Sequence, residues 1–236
     1  MPRAGSGWYY NLTNKLMLAH GAQDARRIRQ NYHLQRVLTE VNCNIGAFTP
    51  PRLLAVLIPS LMGNTFVIKA HAAPTPLAKA IIRRKWMRAA YIYRDPRDAL
   101  LSAYENGARA RENGRTNAFS NLVDFEDALD FMSLYVQISR RWLDDPHVLQ
   151  TRYEDLLQDY DQEVDRLTQF LDIDPQDPAS IQVMAEFRPA ERPTAGKGLH
   201  FSHGKIGRFR TKTTPEQQEQ MTVAFSAYLE RMNYPV

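Results

Sequence analysis

Along residues 65–104, short apolar runs end in polar residues. Residues 65–71 are apolar or β-branched until Lys69 and His71, and residues 91–93 form a second run that leads straight into Arg94. Such runs predict strands, and the stretch between them predicts a helical crossover, so the unit is a parallel α/β unit. Lys69 and His71 are two residues apart and therefore share one strand face. Ligands of parallel sheets bind beyond the carboxyl ends of the strands, so these side chains predict an anion site there.

The rest of the pattern predicts mainly helices. Asp95 is the expected N-cap of the next helix, with Pro96 at its first position. Residues 105–115 carry no apolar period and favour a loop, either mobile over the site or part of the plain surface. Further along, the pattern predicts a nearly all-apolar buried helix over 52–61, an amphipathic helix over 125–143, a third parallel strand over 148–153 and a last helix from 214 to about 233.

A small-residue turn precedes the first helix. Gly5, Ser6 and Gly7 follow Arg3 and lead into an apolar helical spacing at 12, 16 and 18. Free amides at a helix start can cradle an anion, and a nearby cation adds to the attraction. The full Walker A pattern is absent. Such a helix normally follows a central strand, and this chain begins where that strand would end.

Composition narrows the class of protein. The 236 residues, 44% of them apolar, fit one large α/β domain, and no Gly-, Ser- or Pro-rich linker divides them. The net charge of +4 and the lack of basic runs interleaved with aromatics argue against nucleic-acid binding. Cys43 is the single cysteine, which excludes an intrachain disulfide and a cysteine-rich zinc site. Without an apolar run of ~18 residues or a signal peptide, we expect a soluble, cytoplasmic protein.

Five stretches, in order, carry a family resemblance. They are residues 2–8 (PRAGSGW), 68–71 (IKAH), 93–98 (YRDPRD) with Ser102, 153–156 (YEDL) and 204–210 (GKIGRFR). In the same order, they resemble five elements of the cytosolic-type sulfotransferases. These are the 5′-phosphosulfate loop (PKSGTTW), the KTH element, the 3′-phosphate site, the YEDL element and the RKGxxGDWK segment. Those enzymes move a sulfuryl group from 3′-phosphoadenosine 5′-phosphosulfate (PAPS) to a hydroxyl or amine, leaving PAP. The resemblance covers nearly the whole chain. It implies a P-loop-like α/β fold, in which helices flank a parallel central sheet, and the first strand of that sheet is missing from this sequence.

The resemblance also implies roles for particular residues. His71 would be the general base, and Lys69 and Arg3 would stabilise the transferring group. The cofactor-binding residues implied by the matched motifs are Arg3, Gly5, Ser6, Gly7, Trp8, Arg94, Ser102, Tyr153, Phe187, Gly204 and Lys205, with Trp8 and Phe187 flanking the adenine and Tyr153 nearby. No metal is required. The acceptor, a small molecule or a saccharide, would meet residues 22–62 and 105–125.

The chain departs from the family pattern at four positions besides the first strand. Arg3 replaces a lysine, which exchanges a compact ammonium for a planar fork. Gly7 replaces a hydroxyl residue. Ser202 and His203 stand where the family has Arg-Lys, and Lys205 or Arg208 are the alternatives for that 3′-phosphate contact.

Two other functions fit the sequence. A catalytically silent PAPS- or PAP-binding protein would keep the binding loop and not the chemistry. A P-loop small-molecule kinase would share the fold. It needs a Walker lysine and a carboxylate that binds magnesium, and we recognise neither in the sequence.

Overall fold

The computed structural model describes residues 1–189 and 205–235, in which helices surround two short parallel sheets. The helices are α1 (Ser6–Ala19), α2 (Ala25–Asn31), α3 (Pro50–Leu61), α4 (Pro76–Arg83), α5 (Pro96–Glu112), α6 (Phe125–Leu143), α7 (Tyr153–Gln158), α8 (Tyr160–Leu171), α9 (Pro178–Glu186), α10 (Phe209–Lys212) and α11 (Pro215–Arg231). A 3-10 turn (Leu34–Arg36) follows α2. The strands are β1 (Asn44–Ile45), β2 (Lys69–Ala70), β3 (Ala89–Tyr93) and β4 (Val148–Arg152).

The strands form two separate parallel pairs within the described part of the chain. In one pair Asn44 lies opposite Lys69. In the other pair β3 and β4 run in register over five residues, from Ala89 opposite Val148 to Tyr93 opposite Arg152. The predicted parallel arrangement of residues 91–93 and 148–153 is therefore confirmed. The predicted strand over 65–71 is reduced to β2, which pairs with β1, so α4 connects two different sheets and the predicted pairing of 65–71 with 91–93 is wrong for the described residues. β1 was not predicted, because two residues are too few to carry an alternating pattern.

The long helix after β3 begins as the sequence predicts. The Asp95 side chain accepts a hydrogen bond from the Arg97 amide, and Pro96 opens the helix. Its carboxyl end is different from the prediction, because residues 105–112 continue α5 and are not a loop. Ala and Arg are strong helix formers and offset the glycine at 107. A Cβ atom at Gly107 would lie 2.1 Å from the Phe119 carbonyl oxygen, so the glycine allows the next segment to pack against the helix.

Two apolar clusters lie around the strands. The first joins α5, α6 and α11 to β3 through Tyr91, and the second joins α1, α7 and α8 to β3 through Ile92. Neighbouring residues of a strand point to opposite faces, so the two clusters lie on the two sides of β3. The expected buried helix over 52–61 is only half correct, because Leu54, Ile58 and Leu61 of α3 are exposed, Leu61 by 76%. Among the described residues, no helix combines the length and the apolarity needed to cross a membrane.

Candidate active site

The loop before α1 presents a helix start that no side chain caps. Gly5 is the N-cap residue, with a φ of 75°, and it has no side chain to accept a hydrogen bond from the first turn. The first amides of a helix have no intrahelical acceptor, so those of Ser6, Gly7 and Trp8 can bind an anion. A Cβ atom at Gly5 would lie 2.6 Å from a Tyr153 ring carbon, which explains why the turn carries a glycine in contact with that ring.

Arg3 lies between the loop and α5. Its Nε donates a hydrogen bond to the Ser102 hydroxyl at 3.0 Å, and its guanidinium lies 5.7 Å from the centroid of the Phe119 ring. Burial, followed by the charges of Arg109 and Arg94, lowers the pKa of Arg3 to about 10. The guanidinium is therefore still charged at neutral pH and has no carboxylate partner among the described ion pairs.

Lys69 opens β2 and His71 directly follows the strand, and burial lowers the pKa of both side chains. Burial and then the charge of Arg3 lower the pKa of Lys69 to about 8. Burial, the Met1 amine and Lys69, in that order, lower the pKa of His71 to about 3. The Nδ1 atom of His71 is buried without a described hydrogen-bond partner, and its ring packs edge-on against Tyr135 with centroids 6.5 Å apart. The structure thus keeps a neutral imidazole beside the cationic Lys69 side chain.

Arg94 leaves β3 and enters a buried cluster. One of its terminal nitrogens donates to the Arg3 carbonyl oxygen at 3.3 Å, and the other donates to Asp98 at 3.3 Å and to the Lys205 carbonyl oxygen at 3.0 Å. The guanidinium lies 4.5 Å from the centroid of the Tyr153 ring. Its Nε is buried and has no hydrogen-bond partner among the described residues. That donor is available to a ligand.

Asp98 connects this cluster to the segment after residue 204. Its carboxylate accepts hydrogen bonds from the amides of Gly207 at 2.7 Å and Phe209 at 3.1 Å. Nearby, Arg208 pairs with Glu105 of α5 at 2.7 Å. The two α5 carboxylates hold residues 205–209 beside Arg94. Gly204, Ser202 and His203 lie outside the described residues.

The three predicted aromatic residues lie together in the second apolar cluster. Trp8 stacks on Tyr160 with centroids 6.1 Å apart, meets Tyr153 edge-on at 6.4 Å and donates from Nε1 to the Phe187 carbonyl oxygen. All are buried. Phe187 and Trp8 are thus joined directly, although they are far apart in sequence.

Sequence reasoning missed several groups around this site. Arg109 adds positive charge near Arg3, and Phe119 and Tyr135 contact Arg3 and His71. Arg109 and Phe119 lie between residues 105 and 124, for which the sequence predicts no helix or strand, so no periodic pattern indicated where their side chains lie. Asp98, which the sequence analysis names only as the end of the stretch 93–98, accepts the amides of Gly207 and Phe209 and so anchors the late segment. The described residues contain no group of three or more His, Cys, Asp or Glu placed to hold a metal ion.

Comparison with known proteins decides the family. A family model described as the sulfotransferase domain matches residues 1–233. The chain belongs to the sulfotransferase family. The fold of mouse sulfotransferase SULT7A1, solved as a complex with PAP, is similar, with a TM-score of 0.59. The match has 16% sequence identity and covers 97% of this chain and 82% of that one. A search of curated proteins found no match. The predicted P-loop-like α/β fold is confirmed, and the chain is a transferase of the sulfotransferase type.

Gly5→Ala should cost more stability than Gly21→Ala. Both glycines have a left-handed backbone, so alanine costs about 1–2 kcal/mol at either position. At Gly5 the new Cβ must also displace the Tyr153 ring, which adds about 1–3 kcal/mol, whereas at Gly21 nothing lies within 4 Å. Urea unfolding of the two variants measures the difference, and equal losses would show that the Tyr153 contact is unimportant.

Proposed function

We propose that the chain transfers a sulfuryl group from PAPS to a hydroxyl or amine of an acceptor. The observation that supports this best is the crowding of cations around an uncapped helix start. Arg3, Lys69 and Arg94 converge there with few carboxylates to neutralise them, which suits a ligand carrying several negative charges. The acceptor class, a small molecule or a saccharide, stays open.

The residues present fit PAPS. The amides of Ser6, Gly7 and Trp8 would bind the 5′-phosphosulfate at the start of α1, helped by its dipole. Arg94, with its unpartnered buried Nε, and the Ser102 hydroxyl would bind the 3′-phosphate, together with Lys205. Trp8, Phe187 and Tyr153 would form the adenine side of the site. When bound, PAPS supplies an activated sulfuryl group.

His71 is proposed to take the acceptor's proton. Its pKa is lowered to about 3 without ligand, so the imidazole is neutral and able to accept a proton at working pH. Part of that lowering comes from the cationic neighbours of His71. An anion beside them offsets their repulsion and raises the proton affinity of His71 when the acceptor is attacked.

Lys69 and Arg3 are proposed to stabilise the charge that develops on the transferring group and its bridging oxygen. Both cations are partly desolvated, so their fields are stronger than they would be in water. Neither side chain has a described carboxylate that must be displaced first. This role needs position and charge, and we propose that it needs no metal ion.

Arg94→Ala tests the cofactor assignment. Loss of a charge-assisted contact should weaken PAP binding by about 1.5–3 kcal/mol, roughly 10- to 150-fold, measured by calorimetric titration without magnesium. Arg27→Ala, which removes an exposed arginine of α2, is the control and should leave the affinity unchanged. Thermal unfolding checks that the variant folds, since Arg94 also pairs with Asp98. Full PAP affinity in folded Arg94→Ala would contradict the assignment.

His71→Ala separates catalysis from binding. Removing a general base should lower the turnover of PAPS to PAP by about 10²- to 10⁴-fold, with the acceptor that reacts fastest in a screen of phenols, alcohols and amines. PAP affinity should change little, and His147→Ala, at an exposed histidine outside the proposed acceptor segments, should retain full activity. A wild-type chain that binds PAP without turnover would be the silent binder. Turnover of PAPS that continues in the presence of a magnesium chelator would exclude the kinase.

The pH dependence of kcat/KM follows from the two lowered pKa values. His71 stays neutral down to about pH 3 to 4, so its protonation should cause no loss of activity between pH 8 and 5. Lys69 loses its proton as the pH rises through about 8, so kcat/KM should fall on the alkaline side. Lys69→Arg should move that alkaline fall to higher pH, because the guanidinium remains charged. A fall centred near pH 6.5 would mean that His71 has its ordinary pKa.

A further inference from the structure

The ladder between β3 and β4 ends directly before Arg94. Its last pair is Tyr93 opposite Arg152. The next peptide unit joins Arg94 to Asp95, and its amide donates not to a strand but to Oε1 of the Glu154 side chain at 3.3 Å. A buried amide needs such an acceptor, and Glu154 is itself buried. This carboxylate therefore continues the link between the two strands one peptide unit beyond the ladder.

Tyr234 binds the other oxygen of the same carboxylate. Its hydroxyl donates to Oε2 of Glu154 at 3.0 Å, and the Arg152 guanidinium lies 4.2 Å from the centroid of its ring. The ring is buried and stacks on Tyr228 with centroids 6.4 Å apart. Burial, followed by the charge of Glu154, raises the pKa of Tyr234, so the hydroxyl keeps its proton and acts as the donor.

Pro235 is connected to Asp95 by a second route. The buried Arg97 side chain donates to the Pro235 carbonyl oxygen at 2.6 Å and to the two carboxylate oxygens of Asp95 at 3.1 and 2.8 Å. Tyr234 and Pro235 thus each contact a side chain that holds Asp95, Glu154 at the amide and Arg97 at the carboxylate. We call these four residues the Asp95 clasp.

Arg94 is the ligand-binding candidate that this clasp can orient. It shares the held peptide unit with Asp95, whereas its side chain is fixed less firmly. The hydrogen bonds from its guanidinium to Asp98 and to the Arg3 carbonyl oxygen are both 3.3 Å long, beyond the usual range, and its Nε has no partner among the described residues. The direction in which this long side chain points therefore depends strongly on the backbone that carries it.

We propose that Tyr234 is a positioning residue for recognition of the 3′-phosphate and acts through Glu154 and the peptide unit between Arg94 and Asp95. The inference rests on the proposed function, in which Arg94 binds that phosphate. The same groups are linked electrostatically. Burial raises the pKa of Glu154, and its own amide, the Asp95 amide, the charge of Arg94 and the Tyr234 hydroxyl oppose the rise. A binding side chain held to within about 0.5 Å depends on such supporting hydrogen bonds.

The test compares Tyr234→Phe with Tyr91→Phe. Each variant removes one buried hydroxyl, which in the unmodified chain bonds to Glu154 at 3.0 Å or to Ser139 at 2.7 Å. Only the first of these hydrogen bonds belongs to the Asp95 clasp, and phenylalanine at 234 keeps the ring that stacks on Tyr228. Calorimetric titration with PAP and with adenosine 5′-monophosphate (AMP) gives the ratio of the two affinities, and thermal unfolding gives the stability of each variant.

We expect Tyr234→Phe to lower the ratio of PAP affinity to AMP affinity by about 3- to 30-fold, with AMP affinity changed by less than about twofold. Tyr91→Phe should leave the ratio unchanged. A purely structural role would lower the unfolding temperature in both variants and alter neither ratio, and that result would overturn the proposal. If the unmodified chain bound PAP and AMP equally, the proposed function would fail as well. If only Tyr234→Phe kept the normal preference for PAP, the proposed function would stand and this inference alone would fail.

A double variant tests the route through Arg94. In a chain that already carries Arg94→Ala, Tyr234→Phe should cause no further loss of PAP affinity, because the side chain that it positions is gone. A second loss of the same size in that background would overturn the proposal, since Tyr234 would then act on another part of the site.

Discussion

The Asp98 carboxylate makes the contacts on which the rest of the site depends. It lies in the first turn of α5, pairs with Arg94 at the end of β3 and accepts the amides of Gly207 and Phe209. Residues 94–98 and 207–209, which are far apart in sequence, therefore meet at one buried charge. A buried ion pair is stabilising only when its remaining hydrogen-bonding capacity is satisfied, and the two backbone amides satisfy it on the carboxylate side. The Nε of Arg94 is the unsatisfied part of the cluster, on the side where we place the 3′-phosphate.

Around this cluster the site concentrates positive charge. Arg3, Lys69 and the Met1 amine all have lowered pKa values, and in each case burial is the larger cause and a neighbouring cation contributes. A site of this kind costs stability without ligand and gains it when an anion binds, because the anion reduces the repulsion. The proposed chemistry uses the same property, since charge moving onto the leaving oxygen meets cations already in place.

Sequence alone predicted the elements with strong local signals. The N-cap at Asp95, the parallel strands over 91–93 and 148–153 and the amphipathic helix over 125–143 all have clear patterns, and the structure confirms them. The family resemblance predicted that Arg3, Arg94 and Ser102 share one site. In the structure Arg3 donates a hydrogen bond to Ser102 and accepts one from Arg94. Sequence alone could not predict α5 beyond residue 104, because a glycine and a run of charges hide the helix, nor the contact of Gly107 with Phe119 that makes the glycine necessary. Long-range effects, such as the exposure of one face of α3 and the split between the sheets, leave no local pattern.

The most direct test of the central claim is whether the 3′-phosphate is recognised. Calorimetric titration of this chain with PAP and with adenosine 5′-monophosphate, without magnesium, compares two ligands that differ by that one group. If Arg94 and Ser102 hold the 3′-phosphate, PAP should bind at least about tenfold more tightly, the loss expected for a missing charge-assisted contact. Equal affinities for the two nucleotides would contradict the assignment of the cofactor site.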